Sequence, residues 1–568
     1  MKKIIFSILA TLVGYCSYSQ IPKFEWAKNF GGIGFSKGYA VAVDPSGNVF
    51  TTGVFQGKVD FDPDSSKTYY LSSAGSDDIF VSKLDPSGKF LWCKAFGGIS
   101  NDMGQAITTD SKGNVYVTGY FRSDTVDFDP GTLKYELIAI EHDIFVLKLN
   151  PNGDLKWAKQ IGGFGSDAAN SIAMDAQGFI YTTGIFSNKV DFDPAPSTKF
   201  ELSNTGYYDA FILKLDTLGK FIWAKKIGGD NADYGYSIVC DVKGFIYYAG
   251  VFQGKADLNP DPAASNYLTS KGVSDIFISK LNPAGNLIWC KSLRGTKIEV
   301  VNSITLDGKG NLYATGTYMD TTNFNTDTTK IYNLVSKGIA DIFILKLDTA
   351  GKFKWAQSLG SINDDFGNSI QTDNSGNVYT TGSFQGTVDF DPSTSSAYNL
   401  TSENSSYDVF ITKLDPVGNL IGAISMGGAA QDFSQGIFIN NKGNIYTTGG
   451  FQSKVDFDPS NVIYNLKTLG YMDIFVQKMS DGTAGLETSV KRNDITIYPN
   501  PTNGILNIHN TGGKILRLQI LNSLGQVVME KPFENSAIIN IENLNSGIYT
   551  IKLSDLNTTI AWQRIINQ

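Results

Sequence analysis

A chain that repeats itself seven times at one period can close into a ring or stack into a rod, and few other folds are open to it. Here a turn glycine recurs at Gly47, Gly113, Gly178, Gly244, Gly310, Gly376 and Gly443, at spacings of 66, 65, 66, 66, 66 and 67 residues. Trp26, Trp92, Trp157, Trp223, Trp289 and Trp355 keep the same period, and Ile421 takes the seventh position. A third marker runs Asp, Ile/Ala/Val, Phe, Val/Ile, any residue, Lys. It starts at Asp78, Asp143, Asp209, Asp275, Asp341, Asp408 and Asp473.

Each copy holds four segments of strand character, which in the second copy span 104–110, 114–121, 143–150 and 154–162. They alternate, carry β-branched and aromatic residues, and end at Gly, Asp, Asn or Pro. Tight turns join the first segment to the second and the third to the fourth. An Asp or Asn opens each turn, and a Gly supplies the positive φ. Four short antiparallel strands repeated seven times predict an all-β fold, a seven-bladed β-propeller over 20–479. The repeats begin on a Trp-type segment, 24–30, and stop after 473–479 with no Trp-type segment following. Strand 24–30 is therefore expected to complete the last blade as its outermost strand, which removes an exposed edge.

The start of the chain reads as a secretory signal peptide over 1–19. Lys2 and Lys3 precede an apolar run over 4–15, and small residues at 17 and 19 place cleavage before Gln20. That run is too short to span a bilayer, so no transmembrane segment is expected in the mature chain. A net charge of −8 argues against nucleic acid as a partner. Cys93, Cys240 and Cys290 are odd in number and read as small apolar residues.

The segments GNVYVTG, DIFVLKLNPNG and WAKQIGG resemble the SBBP-type β-propeller repeat of bacterial surface proteins, and the resemblance covers about residues 24–479. It implies a fold and no single activity. After a polar linker over 480–494, residues 495–568 change pattern to alternating strands with turns, which suggests a small C-terminal β-sandwich. This segment resembles the type A sorting domain of the type IX secretion system. The residues that carry the likeness are Tyr498, Pro499, Asn500, Pro501 and Gly504, then Gly525, then Gly547 and Tyr549. The resemblance implies the type IX machinery as a partner, and a protein released outside the cell or attached to the outer-membrane surface.

Histidine limits the chemistry. His142 and His509 are the only two, so a Ser-His-Asp triad or a multi-histidine metal site is not expected in the propeller. His142 reads as a surface residue. Three acidic positions recur instead. The VDFDP segment supplies Asp60 and Asp62, Asp127 and Asp129, Asp191 and Asp193, Asp389 and Asp391, and Asp456 and Asp458. In the fourth copy the pair is Asp257 and Asn259, and in the fifth Asn323 and Asn325. The loop after the Trp-type strand carries Asp102, Asp167, Asp233, Glu299, Asp365 and Asp432, with Ser36 in the first copy. The Asp opening each third strand completes the set. Propeller topology puts all three on one loop-rich face, which is expected to be acidic.

Two readings compete for the VDFDP carboxylates. They cap loop N–H groups, or they bind calcium, which prefers oxygen ligands and is abundant outside cells. Repetition favours caps, because what every blade carries is usually what every blade needs. No carboxylate pair stands out as catalytic, and no other cofactor is implied. The expected function is a non-enzymatic binding or adhesion module for a glycan or protein. A carbohydrate-active enzyme on the same face and a structural coat or motility-surface protein are the alternatives. Ligand recognition should break the symmetry, and the most deviant stretches are 294–303 and 317–329.

Overall fold

Seven four-stranded antiparallel sheets hold the repeats. In sheet 1 the strands are Ser36–Val43, Val49–Phe55, Asp78–Leu84 and Phe90–Phe96, paired in chain order. Sheets 2 to 6 repeat that order. Sheet 7 differs. It runs Phe433–Ile439, Asn444–Phe451, Asp473–Ser480 and then Lys23–Gly32, so its outermost strand comes from the far end of the repeat region. The computed structural model describes residues 22–122, 125–327, 329–460 and 462–481, and the strands of a second unit with a few flanking positions between 495 and 567. The expected signal peptide lies outside the described residues. Within them the protein is all-β apart from one 3-10 turn, Glu403–Ser405.

The two middle strands of each sheet are mostly apolar and are buried on both faces almost throughout, as in Val49–Phe55 and Asp78–Leu84. Sheet packs on sheet through these faces. The first strand of every sheet touches the first strand of the next, and that of sheet 7 touches that of sheet 1. Side chains sew these inner strands together at the repeat spacing. Asn170 Nδ2 donates to Gly235 O at 2.9 Å, Asn302 Nδ2 to Gly367 O at 2.9 Å and Asn368 Nδ2 to Ser434 O at 2.8 Å.

The periodic tryptophans perform the same task at the tight-turn end. Five of the six indole N–H groups reach into the next sheet's turn between its third and fourth strands, among them Trp26 to Pro86 O at 3.2 Å, Trp92 to Pro151 O at 3.1 Å and Trp355 to Pro416 O at 3.2 Å. The Trp223 indole nitrogen is buried without a hydrogen-bond partner among the described residues. Lysines of the third strand join them, as Lys83 and Lys346 donate to Pro151 O and Pro416 O. Sheet 6 has no such turn to reach, because the fourth strand of sheet 7 comes from elsewhere in the chain. The tryptophan position falls on Gly422 and not on the expected Ile421, since Gly422 lies opposite Lys413 as Trp355 lies opposite Lys346. Lys413 pairs instead with the carboxylate of Asp481, which also accepts from the Tyr379 hydroxyl. Both members of that ion pair are buried. The first unit therefore runs through Asp481, two residues past the boundary at 479 expected from sequence. Ser480 pairs with Lys23 and Asn444, so neither residue is linker.

Seven turn glycines, from Gly47 (φ 87°) to Gly443 (φ 76°), adopt the left-handed conformation that the turns between first and second strands require. The long second-to-third connection carries a small hairpin, such as Lys58–Asp60 with Tyr70–Ser72. In four of the repeats this hairpin pairs with the outer strand of the preceding sheet, at Gly31↔Asp60, Gly162↔Asp191, Gly228↔Asp257 and Arg294↔Asn323.

The second unit has one three-stranded sheet and one four-stranded sheet. The first contains Ile495–Tyr498, Ile505–Asn510 and Ser536–Asn540. The second contains Val527–Phe533, Leu516–Leu521, Gly547–Ser554 and Thr559–Asn567. Leu506, Ile508 and Ile539 of one sheet and Leu518, Ile520, Ile551 and Leu553 of the other belong to one buried cluster.

Candidate functional site

The ten VDFDP aspartates sit in five separate hairpins, and each pair caps its loop through Oδ1 in the same way. Val59 and Phe61 point into the core while Asp60 and Asp62 alternate outward, as strand geometry demands. Asp60 Oδ1 accepts from the N–H groups of Asp62 at 3.1 Å and Tyr69 at 2.8 Å, and Asp62 Oδ1 accepts from Asp64 N at 3.0 Å. Asp127 and Asp129, Asp191 and Asp193, Asp389 and Asp391, and Asp456 and Asp458 repeat this pattern. Asn323 and Asn325 repeat it with amide oxygens, to Asn325 N at 3.0 Å, Tyr332 N at 2.9 Å and Asp327 N at 3.0 Å. An oxygen acceptor is thus what the hairpin uses, and charge is dispensable. Among the described residues no group of three or more His, Cys, Asp or Glu is placed to hold a metal ion.

The other two acidic positions do not reach the surface, which corrects the expected acidic face. Asp102, Asp167, Asp233, Glu299 and Asp365 are fully buried, and Asp432 is nearly so. Asp102 Oδ2 accepts from Gly98 N at 2.8 Å and Oδ1 from Arg122 N at 2.9 Å, which ties two loops together. Asp167, Asp233, Asp365 and Asp432 make the same two bonds. The Asp opening each third strand is buried alongside. Asp78 Oδ2 accepts from Ala74 N at 2.9 Å, and its Oδ1 has no hydrogen-bond partner among the described residues. Burial pushes Asp78 and Asp167 up to about 7 and Asp233, Glu299 and Asp432 up to about 8, with neighbouring carboxylates adding to the rise.

These buried carboxyls explain the Gly-Gly doublet found at the end of the Trp-type strand in five of the seven copies. A Cβ at Gly97 would lie 2.3 Å from the Asp78 carboxyl carbon, and one at Gly162 would lie 2.1 Å from Asp143 Oδ1. The second glycine of the doublet approaches backbone, as Gly229 does Lys255 O. The deviant stretch 294–303 keeps the scheme by compensation. Arg294 replaces the first glycine and donates to Ser292 Oγ at 2.9 Å. The longer Glu299 fills the space over Gly295 and accepts from Thr322 Oγ1 at 2.9 Å.

What varies from sheet to sheet is the inner strand. The residue that follows the buried loop acid (Ser36 in the first copy) is Lys37, Met103, Ala168, Tyr234, Val300, Phe366 or Phe433, in chain order. Two residues on, each inner strand has a β-bulge at Tyr39, Gln105, Asn170, Tyr236, Asn302, Asn368 or Gln435. A bulge re-aims the side chain it carries. Aromatic contacts run along part of this ring. Phe366 meets Tyr407 with centroids 5.8 Å apart, Tyr407 meets Phe433 at 5.5 Å, and the Lys37 ammonium lies 4.9 Å from the Phe433 centroid and 5.6 Å from that of Tyr39. Across the ring Tyr234 stacks on Tyr236 at 5.9 Å and touches Tyr208 at 6.0 Å. All these rings are half-buried. His142 is half-buried as well, edge-on to Tyr120 at 5.5 Å and 3.3 Å from Ser166 Oγ. Around the ring the loops expose Ile33, Phe164, Ile362 and Tyr471, so this face carries apolar side chains open to solvent. Elsewhere, the hairpins of sheets 2 and 3 enclose a rim groove of about 330 Å³ lined by Tyr135, Gln160, Asp193 and Lys199.

Of the sorting-domain residues, Tyr498 pairs with Asn507, Gly547 opens a strand and Tyr549 is buried in the second unit's core. Pro499, Asn500, Pro501, Gly504 and Gly525 lie outside the described residues. Cys93, Cys240 and Cys290 are all free thiols. No helix among the described residues is long and apolar enough to cross a membrane.

Comparison with known proteins places these features. Residues 496–568 match the secretion system C-terminal sorting domain, and residues 92–120 and 354–383 match the SBBP β-propeller repeat. The chain therefore carries propeller repeats and a type IX sorting domain, the mark of a protein secreted outside the cell or held at its surface. An uncharacterised WD repeat-containing protein of Acanthamoeba polyphaga mimivirus is 23% identical over 508 residues, covering 77% of this chain and 37% of that protein. The regulatory protein FlaEY of Caulobacter vibrioides is 26% identical over 163 residues, 28% of this chain and 16% of that protein. The chain thus spans well under half the length of either relative. Among solved structures, Sqt1 from Chaetomium thermophilum has a TM-score of 0.35 at 11% identity, over 76% of this chain and 97% of that one. The Pan2 WD40 domain of Neurospora crassa has a TM-score of 0.37 at 7% identity, over 80% and 97%.

Proposed function

We propose that this protein is an exported seven-bladed β-propeller that binds a ligand, without catalysing its conversion, at the ring of inner-strand side chains on the loop-rich face. Seven sheets whose inner strands touch in sequence and close on each other support the bladed ring, with Lys23–Gly32 completing the last blade. Two sheets around one apolar cluster support a sandwich for residues 495–568, which directs export. The observation that carries the binding reading is the contrast in repetition. The recurring acidic groups are buried or serve as loop caps. The inner-strand ring changes identity from blade to blade while presenting half-exposed aromatic rings and amides. A shaped apolar surface with a few polar groups is what ligand sites share, and aromatic rings with one open face suit the apolar faces of sugars.

The calcium reading of the VDFDP pairs is the weaker one, because asparagine does the same work in sheet 5. The test is a glycan array probed with the full exported chain, with Phe433→Ala for the ring and Tyr135→Ala for the rim groove. Binding that is lost with Phe433→Ala and kept with Tyr135→Ala supports the ring. Binding lost only with Tyr135→Ala, or no binding to any glycan, contradicts it.

A further inference from the structure

Resting on that reading, we infer that the ring takes an acidic saccharide, a pyranose bearing a carboxylate or sulfate, with the Lys37 ammonium as its counter-ion and the Phe433 and Tyr39 rings flanking the sugar. Lys37 is the one cation among the seven variable inner-strand positions. Its stem packs on Gly450 beside Met472, which puts its tip at the junction of the last blade with the first. There the tip has the two rings for company and, among the described residues, no ion-pair partner. The nearby acid that acts on Tyr39 is Asp77, which is held by Gln56 Nε2 at 2.8 Å.

An unpaired, partly desolvated ammonium is costly, and its pKa falls to about 8 under burial alone. A ligand anion supplies the missing charge in a site already stripped of much of its water, where charged hydrogen bonds are strongest. The rest of the protein carries a net charge of the opposite sign, −8 overall, so nothing but a local cation selects for an anion here. The rings contribute contact with the sugar's C–H faces.

The experiment is calorimetric titration of the full chain with an oligogalacturonide, a sulfated galactan oligomer and a neutral galactan oligomer of equal length, with sodium acetate and sodium sulfate as free-anion controls. Wild type is compared with Lys37→Met, Lys37→Arg and Phe433→Ala, each checked by thermal melt. The expected result is that at least one acidic oligomer binds about tenfold more tightly than the neutral one, that Lys37→Met removes that preference, and that Lys37→Arg keeps it. Whichever of carboxylate and sulfate binds more tightly identifies the anion. Equal affinity for acidic and neutral oligomers, or an acidic preference that survives Lys37→Met, overturns the inference while leaving ligand binding at the ring intact. Binding of acetate or sulfate as tight as that of the acidic oligomers reduces the site to an ion site and also overturns it. No binding of any oligomer overturns the inference, and the glycan array then decides the reading beneath it.

Discussion

The buried carboxyls between sheets and the variable ring on the inner strands lie on the same end of the propeller and obey opposite rules. Asp78, Asp102 and their copies repeat almost without change, are sealed from water and bond to backbone N–H groups. Lys37, Met103, Ala168, Tyr234, Val300, Phe366 and Phe433 share a position and nothing else. A group needed by every blade is kept by the fold, whereas a group needed by one ligand need appear only where that ligand touches. In a repeat protein, therefore, conspicuous acidic signatures are poor guides to chemistry, and the quiet positions between them are better ones.

The largest effect is expected where the repeat rule lapses. Asp481 stands in for the turn that sheet 7 does not have, and Asp481→Ala leaves the Lys413 ammonium buried without its carboxylate. Breaking a buried pair on one side typically costs about 3–5 kcal/mol. Denaturant unfolding should show a loss of that order, and Asp481→Asn, which keeps an acceptor for Tyr379, should lose less. An unchanged midpoint would mean the seventh junction is held by the strands alone.

A repeated glycine comes next. Gly162→Ala drives a methyl to 2.1 Å from Asp143 Oδ1, with backbone and carboxyl both fixed. Overpacking of this kind costs about 1–3 kcal/mol. Relief of most of that loss by Asp143→Ala in the same chain would sharpen the link between doublet and carboxyl. Independent, additive losses would break it.

The carboxyls also set a pH dependence. Asp233, Glu299 and Asp432 have folded-state values of about 8, and Asp78 and Asp167 about 7, all raised first by burial. The folded state thus holds protons that the unfolded chain releases in the ordinary carboxylate range. Stability is full below that range and declines as pH rises through the folded values. A melt series from about pH 5 to about pH 9 should show the melting temperature falling. A temperature that rises over that window would contradict burial without charge compensation.

The smallest effect expected is from calcium. If asparagine serves in sheet 5 as aspartate does elsewhere, melts in chelator and in millimolar calcium should coincide, with magnesium as control. Ion binding to the folded state alone would raise stability at every occupied hairpin. A clear calcium-specific rise would return the VDFDP pairs to the list of ligand sites.

Much of this architecture could be read from the chain. Three markers at one spacing exposed the repeats, and Gly47 with its six copies exposed the turns. The Trp-type segment 24–30 without a partner pointed to the pairing of Lys23–Gly32 with Asp473–Ser480. The site was less legible. Alternation places residues 37 and 39 on one face of a strand, but it does not reveal the bulge at Tyr39 or the neighbour across the junction, Phe433, almost four hundred residues away. The carboxyls stood out in sequence because they recur, yet recurrence says nothing of burial. The signal that could have settled it was the Gly-Gly doublet, since a glycine needed in nearly every copy away from a turn marks a space that something else fills.

The most direct measurement is a side-by-side glycan-binding titration of three full-length proteins: wild type, Tyr234→Ala/Phe433→Ala in the variable ring, and Asp60→Asn/Asp62→Asn in a repeated hairpin. Binding that disappears with the ring variant and persists unchanged with the hairpin variant is the result predicted here. Binding that survives loss of Tyr234 and Phe433 but fails with the Asp60 and Asp62 substitutions would contradict it and return recognition to the recurring carboxylates.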